Sequence, residues 1–233
     1  MLWWTTAGMA ATVGLVVATA ILTAGGDTGQ DLATAEGVRS VFSAAGAGTV
    51  VVLLLGIVVM TGERQHRTVT QTVLSTPARH RVVAAKMAAT AMASACLAVA
   101  ASGLTLLIAL PWLAAKSVEV APLSGDVAGV LAGSIGATVL YGVIGVAVGA
   151  IARSQLAAVA LSLVWTLVVE ALLAALLPKV GRWLPGGAAD ALGRVATPRG
   201  GLLPVWGGAA LLVAYVVGAA VVGSRLFVEA DVA

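Results

Sequence analysis

The chain has 233 residues, of which 60% are hydrophobic and only 10% charged, with a net charge of +3. A soluble domain carries about 25% charged residues, so a water-soluble globule is excluded and lipid is the expected solvent. In lipid only helices or closed barrels satisfy the backbone. Barrel strands alternate apolar and polar positions over about ten residues, whereas the apolar runs here are unbroken for about twenty, the length of a spanning helix. The expected class is an all-α membrane protein, and the cations, spread over its connections, are read as setting membrane orientation rather than as a nucleic-acid surface.

Six segments are long enough to span, within a single transmembrane domain covering 1–233. The first, about 3–25, has no basic stretch ahead of it and is longer than the core of a signal peptide, so it is read as a retained span. A polar loop, 26–40, carries Asp27, Asp31, Glu36 and Arg39. The second span is about 41–62. The third, about 83–110, is expected to end at Pro111-Trp112, where a helix interior does not tolerate proline. The fourth, about 127–151, turns at Ala152-Arg-Ser-Gln155 into the fifth, about 156–177, which Pro178 stops. A Gly- and Pro-rich loop, 179–204, precedes the sixth, about 205–227.

Charge is concentrated between spans two and three. The block from Gly62 to Lys86 holds five of the thirteen Lys and Arg residues and both histidines, against one acid, Glu63. The positive-inside bias places it in the cytoplasm together with Arg153 and Arg225. Six spans put both termini on that side. The 179–204 loop is then external, although it carries Lys179, Arg182, Arg194 and Arg199, against the bias. Within the block, Thr76-Pro77 is a helix start, Thr as N-cap and Pro at the first helical position. Residues from about Arg64 to Leu74 form a separate short helix, with Val69 and Val73 on one side and Arg64, Arg67 and Gln71 on another. Two readings stand: a lever that a partner grips to move both spans, or a basic loop anchored on lipid phosphates.

Several apolar spans carry polar positions. Glu170 is a carboxylate within the fifth span, where such a group costs about 2.5–3.5 kcal/mol on insertion scales and usually faces a cavity or partner. Gln155, Ser162, Thr166 and Glu170 are spaced to share one helix face. Ser162, Thr166 and Glu170 are the candidates for a substrate path, with Glu170 favouring cationic groups or holding a gate; the alternative is interhelical hydrogen bonding. A similar stripe, Lys86, Thr90, Ser94 and Ser102, runs along the third span. Gly129-xxx-Gly133 and Gly145-xxx-Gly149 permit close helix approach, within the chain or at a dimer seam. Cys96, the one cysteine, excludes an internal disulfide and is expected to be a small buried packing residue.

No Gly-x-x-x-x-Gly-Lys-Ser/Thr loop is present to cradle nucleotide phosphates, so any ATP hydrolysis belongs to another chain. Leu123-Ser-Gly-Asp126 lies between spans and is too short for an ATPase signature. His66 and His80 lack neighbouring ligands except Glu63, which argues against a metal site. No cofactor is expected, and no catalytic residues.

In the charged block, Gly62-Glu63-Arg64, Arg67-Thr68, Leu74-Ser75-Thr76-Pro77, Arg79, Arg81-Val82-Val83 and Lys86 resemble the segment between the second and third spans of type-2 ABC export permeases. Val164-Trp165, Val169-Glu170, Leu176-Leu177-Pro178 and Arg182-Trp183-Leu184-Pro185-Gly186-Gly187 are also similar to that family, especially its actinobacterial members. The resemblance implies six transmembrane helices and a short cytoplasmic coupling helix that docks on a separate ATP-binding cassette ATPase subunit. The residues implied to carry that coupling are Glu63, Arg64, Arg67, Thr68, Val69, Val73, Leu74, Pro77, Arg79 and Arg81. It also implies a second permease copy or homologous permease, a bacterial plasma-membrane location and outward movement of an amphipathic or hydrophobic substrate such as a drug, peptide or lipid. Two departures stand out. Family members usually carry a basic amphipathic helix before the first span, where only Met1-Leu-Trp-Trp4 stand here, and Arg67 replaces their glycine before the coupling threonine. The alternative from another class is an ATP-independent secondary transporter or membrane-assembly protein.

Overall fold

The computed structural model describes residues 34–65, 79–118, 124–152, 154–195 and 201–229, together with Gly14, Leu15 and Ala18. Among them no strand occurs, and the elements are helices: α1 (Ala35–Ser43), a 3-10 turn (Ala44–Gly48), α2 (Thr49–Gln65), α3 (Arg79–Ala115), α4 (Gly125–Ile151), α5 (Gln155–Val164), a π turn (Trp165–Val169), α6 (Glu170–Leu176), α7 (Pro178–Gly181), α8 (Pro185–Leu192) and α9 (Val205–Glu229). Five stretches are long and apolar enough to cross a membrane: Glu36–Gly62, Val83–Ala115, Gly125–Ile151, Gln155–Leu176 and Val205–Gly223. The expected span at 3–25 lies outside the described residues apart from Gly14, Leu15 and Ala18.

The boundaries follow local chemistry more than hydropathy. The polar loop expected to run to Ser40 instead ends at Thr34. The Thr34 hydroxyl accepts from the Gly37 N–H at 3.2 Å, and Glu36 sits in the first turn, so an N-cap and a favourable charge start the helix inside the polar stretch. At the other end of the third span, Pro111 does not stop the helix. α3 continues to Ala115 and closes where the Val118 N–H bonds to the Leu113 carbonyl and the Ser117 N–H to that of Ala114, each at 3.0 Å, with Ser117 at φ 59°. Ser124 caps α4 by accepting from the Val127 N–H at 3.4 Å, with Asp126 in the first turn. Ser124, Gly125 and Asp126 are therefore a helix start. Pro178 ends the fifth span as expected, and opens α7 as its first residue.

α4 is the centre of the bundle, packed by α2, α3 and α9 along its length, by α1 near its start and by α8 between Gly133 and Tyr141. Its glycines allow this. Leu53 of α2 lies against Gly145, while Ile57 and Met60 lie against Gly149. A Cβ on Gly56 would collide with the Gly142 carbonyl and stand 2.7 Å from the Val146 nitrogen. Both GxxxG pairs are thus used within the chain: Gly133 takes the Leu192 backbone of α8, and Gly129 takes the Arg194 guanidinium. Gly142 receives Ser94 and Thr90 of α3. The expected hydroxyl stripe on the third span is accordingly buried at Thr90, Ser94 and Ser102. The hydroxyls of these three residues find no hydrogen-bond partner among the described residues, so tight packing rather than interhelical hydrogen bonding holds this seam. Lys86 at its end reaches the Val59 carbonyl of α2 at 3.2 Å.

The core lies along α4 in three layers. Near its start are Val41, Phe42, Ala109, Leu113, Val127 and Val130. In the middle are Val52, Leu53, Ile57, Tyr141, Ala188 and Leu212. Near its end are Met60, Val83, Val146 and Ala150. These layers show that α2 runs parallel to α4 and α3 antiparallel, and α9, with Leu212 in the middle layer and Gly223 against Ala147 and Ala150, also runs parallel. The last residues of α2, the first of α3 and the end of α9 therefore share one end of the bundle. α5, α6 and α9 bury little of their surface within the chain and present broad apolar faces, including Leu156, Leu161, Leu176 and Trp206. Cys96 corrects one expectation: it is exposed on α3 rather than buried, because the seam with α4 follows the serine and threonine positions instead.

Candidate functional site: an acidic cavity beside the π turn

The segment expected as an external loop folds back into the bundle. After α6 the chain turns at Leu177, forms α7, and enters α8 with Pro185 at its first position. α8 buries Ala188 and Ala191 against α9 and α4, where Gly208 lies under Ala188 and Ala191 and Gly133 lies under Leu192. Gly186 meets α4 at the level of Tyr141, sixteen residues into that helix and so about 24 Å along its axis. Non-helical backbone at this depth is tolerated only where protein covers it, and two glycines supply the closeness: a Cβ on Gly187 would strike the Gly181 carbonyl, and one on Gly186 would strike the Glu170 carboxylate.

Glu170 is held from two directions. The π turn closes with the Glu170 N–H bonded to the Trp165 carbonyl, a residue five positions back. That wider turn overlays residues i and i+5, and the Trp165 indole N–H donates to Glu170 Oε1 at 2.7 Å. The Gly186 N–H, at the start of α8, donates to Oε2 at 2.8 Å. Glu170 is 7% exposed. A charged group buried in this way needs donors. One here comes from its own span and one from the returning helix, so Glu170 fastens α8 to the fifth span.

Beside it opens a cavity of about 280 Å³, lined by Glu170, Thr166, Tyr141, Thr49, Asp190 and Arg182 among small and apolar residues such as Ala174, Gly181, Gly187 and Leu202. Asp190, on α8, has its carboxyl pushed up to about 6 by burial. Arg182 is the one cation among the lining residues; it is exposed, its guanidinium 5.9 Å from the centre of the Trp183 ring. The rim is tied by the Tyr215 hydroxyl of α9, which donates to the Trp183 carbonyl at 2.9 Å. Further toward the start of α4, Asp126 pairs with Arg39 at 2.9 Å and with Arg194 at 3.7 Å, joining α1, α4 and the end of α8. Arg194 reaches that position from a left-handed backbone at φ 53°, following the Val195-to-Asp190 bond that closes α8.

Of the substrate-path candidates, Glu170 and Thr166 line the cavity, and Ser162, one turn earlier, does not. The π turn lies between Ser162 and Glu170 and breaks the regular spacing that placed all three on one face. Of the coupling residues, Glu63 and Arg64 lie at the end of α2, and Arg79 and Arg81 lie on the first turn of α3. Arg67, Thr68, Val69, Val73, Leu74 and Pro77 lie outside the described residues. Sequence reasoning missed Asp190, Tyr141, Trp165 and Gly186. Two signals were present: an acid inside the Gly- and Pro-rich segment, and the Pro185-Gly186-Gly187 start of a helix able to approach another backbone closely. No protein-family model matches the chain, and no curated protein matches it.

Proposed function

We propose that the chain is the membrane-embedded permease subunit of an ATP-driven exporter, working with a separate ATPase subunit and a second permease in a bacterial plasma membrane. The observation that carries the reading is the Gly62–Lys86 segment, whose residue pattern resembles the coupling segment of type-2 ABC export permeases. Its two flanking helices end on one side of the bundle, and both continue beyond the apolar stretch: α2 to Gln65 and α3 back to Arg79. In this reading that side is cytoplasmic. ATP binding by the partner displaces the segment, the displacement passes into α2 and α3, and both pack on the central α4. The chain itself supplies no catalytic group. The apolar faces of α5, α6 and α9 are available to lipid and to the second permease, and the substrate is amphipathic or hydrophobic.

A second reading, an ATP-independent carrier, is favoured by one observation, the paired carboxylates of Glu170 and Asp190 at the cavity. Co-purification from the native membrane separates the two. The exporter reading expects a nucleotide-binding protein in equal stoichiometry, whose ATPase activity is stimulated by the permease and loses that stimulation when Arg67 and Arg79 are both changed to Glu. A chain that purifies alone, or a double variant that stimulates normally, refutes it.

A further inference from the structure

The cavity has features that the coupling mechanism does not use. Tyr141 is 4% exposed and lines it, yet its hydroxyl has no hydrogen-bond partner among the described residues. The hydroxyl would lie 3.8 Å from a Cβ on Gly186, the same Cβ that would strike Glu170 Oε2, so hydroxyl and carboxylate flank one point of the α8 backbone. A phenol hydroxyl of a buried residue that opens only to a cavity takes its hydrogen bonds from whatever occupies that cavity. Each Glu170 oxygen accepts one hydrogen bond from the protein, and a carboxylate offers about four acceptor positions. Asp190, on the same wall, adds acceptors, and its carboxylate makes no ion pair or hydrogen bond among the described residues. The remaining wall is small and apolar, and Arg182 stands exposed beside Trp183. At about 280 Å³ the space falls just below the range of drug-sized pockets.

We infer that this cavity binds a small primary or secondary amine in its ammonium form, its N–H groups donating to Glu170, Asp190 and Tyr141 and its hydrocarbon part lying on the alanine, glycine and leucine wall. Donors are required because every unfilled position on the two carboxylates is an acceptor position, while the Tyr141 hydroxyl can take either role. A positive charge is required because a buried carboxylate, Glu170, and a partly buried one, Asp190, face the same space. A quaternary ammonium satisfies the charge and not the hydrogen bonds; a neutral alcohol satisfies one hydrogen bond and not the charge. Binding is a property of this chain alone and does not rest on the export reading.

The test is equilibrium binding of phenethylammonium to the purified full chain in nanodiscs of zwitterionic lipid, near neutral pH. The neutral analogue 2-phenylethanol and the quaternary ion trimethyl(phenethyl)ammonium serve as comparisons. Saturable one-to-one binding is expected, at least about tenfold tighter than for either comparison, a factor worth about 1.4 kcal/mol. Glu170→Gln should weaken the amine at least about tenfold and Tyr141→Phe several-fold, with little effect on 2-phenylethanol. If Glu170→Gln does not fold, Asp190→Asn provides the same comparison, because Asp190 makes no side-chain bond that the fold needs. Equal binding of amine and alcohol overturns the inference. So does amine affinity unchanged in both Asp190→Asn and Tyr141→Phe, or full displacement of the amine by an equal concentration of Na⁺. Failure of the exporter test leaves these measurements unaffected, so the two ideas fail separately.

Discussion

Replacing Gly56 by alanine tests whether α2 and α4 are held by backbone contact. In an open position on a helix, Gly→Ala gains about 1 kcal/mol, because alanine loses less conformational entropy. At Gly56 the added methyl would collide with the Gly142 carbonyl and stand 2.7 Å from the Val146 nitrogen and 2.9 Å from the Gly145 carbonyl carbon. All three are backbone atoms of the central helix, so no side chain can rotate away and the two helices must separate. Overpacking of this kind costs about 1–3 kcal/mol and more where the backbone has to move. Separation also opens the seam around Leu53, Ile57 and Val146, which are 5% exposed or less. A net loss of about 2 kcal/mol corresponds to about 4–8 °C for a chain of this length. The internal control is Gly103→Ala on α3, where a Cβ meets nothing within 4 Å. Thermal unfolding of both variants in the same detergent should show Gly56→Ala lowered and Gly103→Ala unchanged or slightly raised. Equal melting temperatures for the two would refute close backbone packing as the basis of the bundle.

Three further outcomes are expected. Asp190 has its carboxyl raised from 3.8 to about 6, so the folded state binds more protons than the unfolded between those values. Stability therefore falls as pH rises from about 4 to 6 and stays lower above that. Asp190→Asn should unfold about 1–3 kcal/mol later than the parent near neutral pH and equally at about pH 3.5, as read by denaturant titration at the two pH values. Trp165→Phe removes one donor from a buried carboxylate and should cost about 1.5–3 kcal/mol; Trp206→Phe, at a position 76% exposed, should cost almost nothing by the same thermal assay. Asp126→Asn breaks two ion pairs whose side chains are 36–51% exposed and should shift stability by less than about 1 kcal/mol, an effect that disappears in high salt.

Membrane character and the positions of five spans were legible because each apolar run is long and its flanks are punctuated. Ser124 and Pro178 act locally, and local signals survive into the fold. The misreadings arose where long-range packing decides. Pro111 was expected to end a helix by its own chemistry, but the Ser117 turn four residues after Leu113 sets the end instead. Cys96 was expected inside, yet which face of α3 is covered depends on where the glycines of α4 stand, a relation between two helices that no single-helix pattern contains. At the cavity, Glu170 and Thr166 were legible as polar positions in an apolar run. Trp165 and Tyr141 were not, because a π turn re-registers the helix without any sequence mark, and because the return of α8 is specified by contacts with two other helices.

α3 has 37 residues, about 55 Å of continuous helix, against a hydrocarbon thickness of about 30 Å. Nearly half of its length must therefore lie beyond the acyl chains or be accommodated by tilt. Along it stand Arg79 at one end, Thr90 and Ser94 in the notch of Gly142, and Trp112 toward the other end. One uninterrupted helix, without a break at Pro111, therefore reaches past the acyl thickness, and its two ends are joined by continuous backbone rather than by a loop.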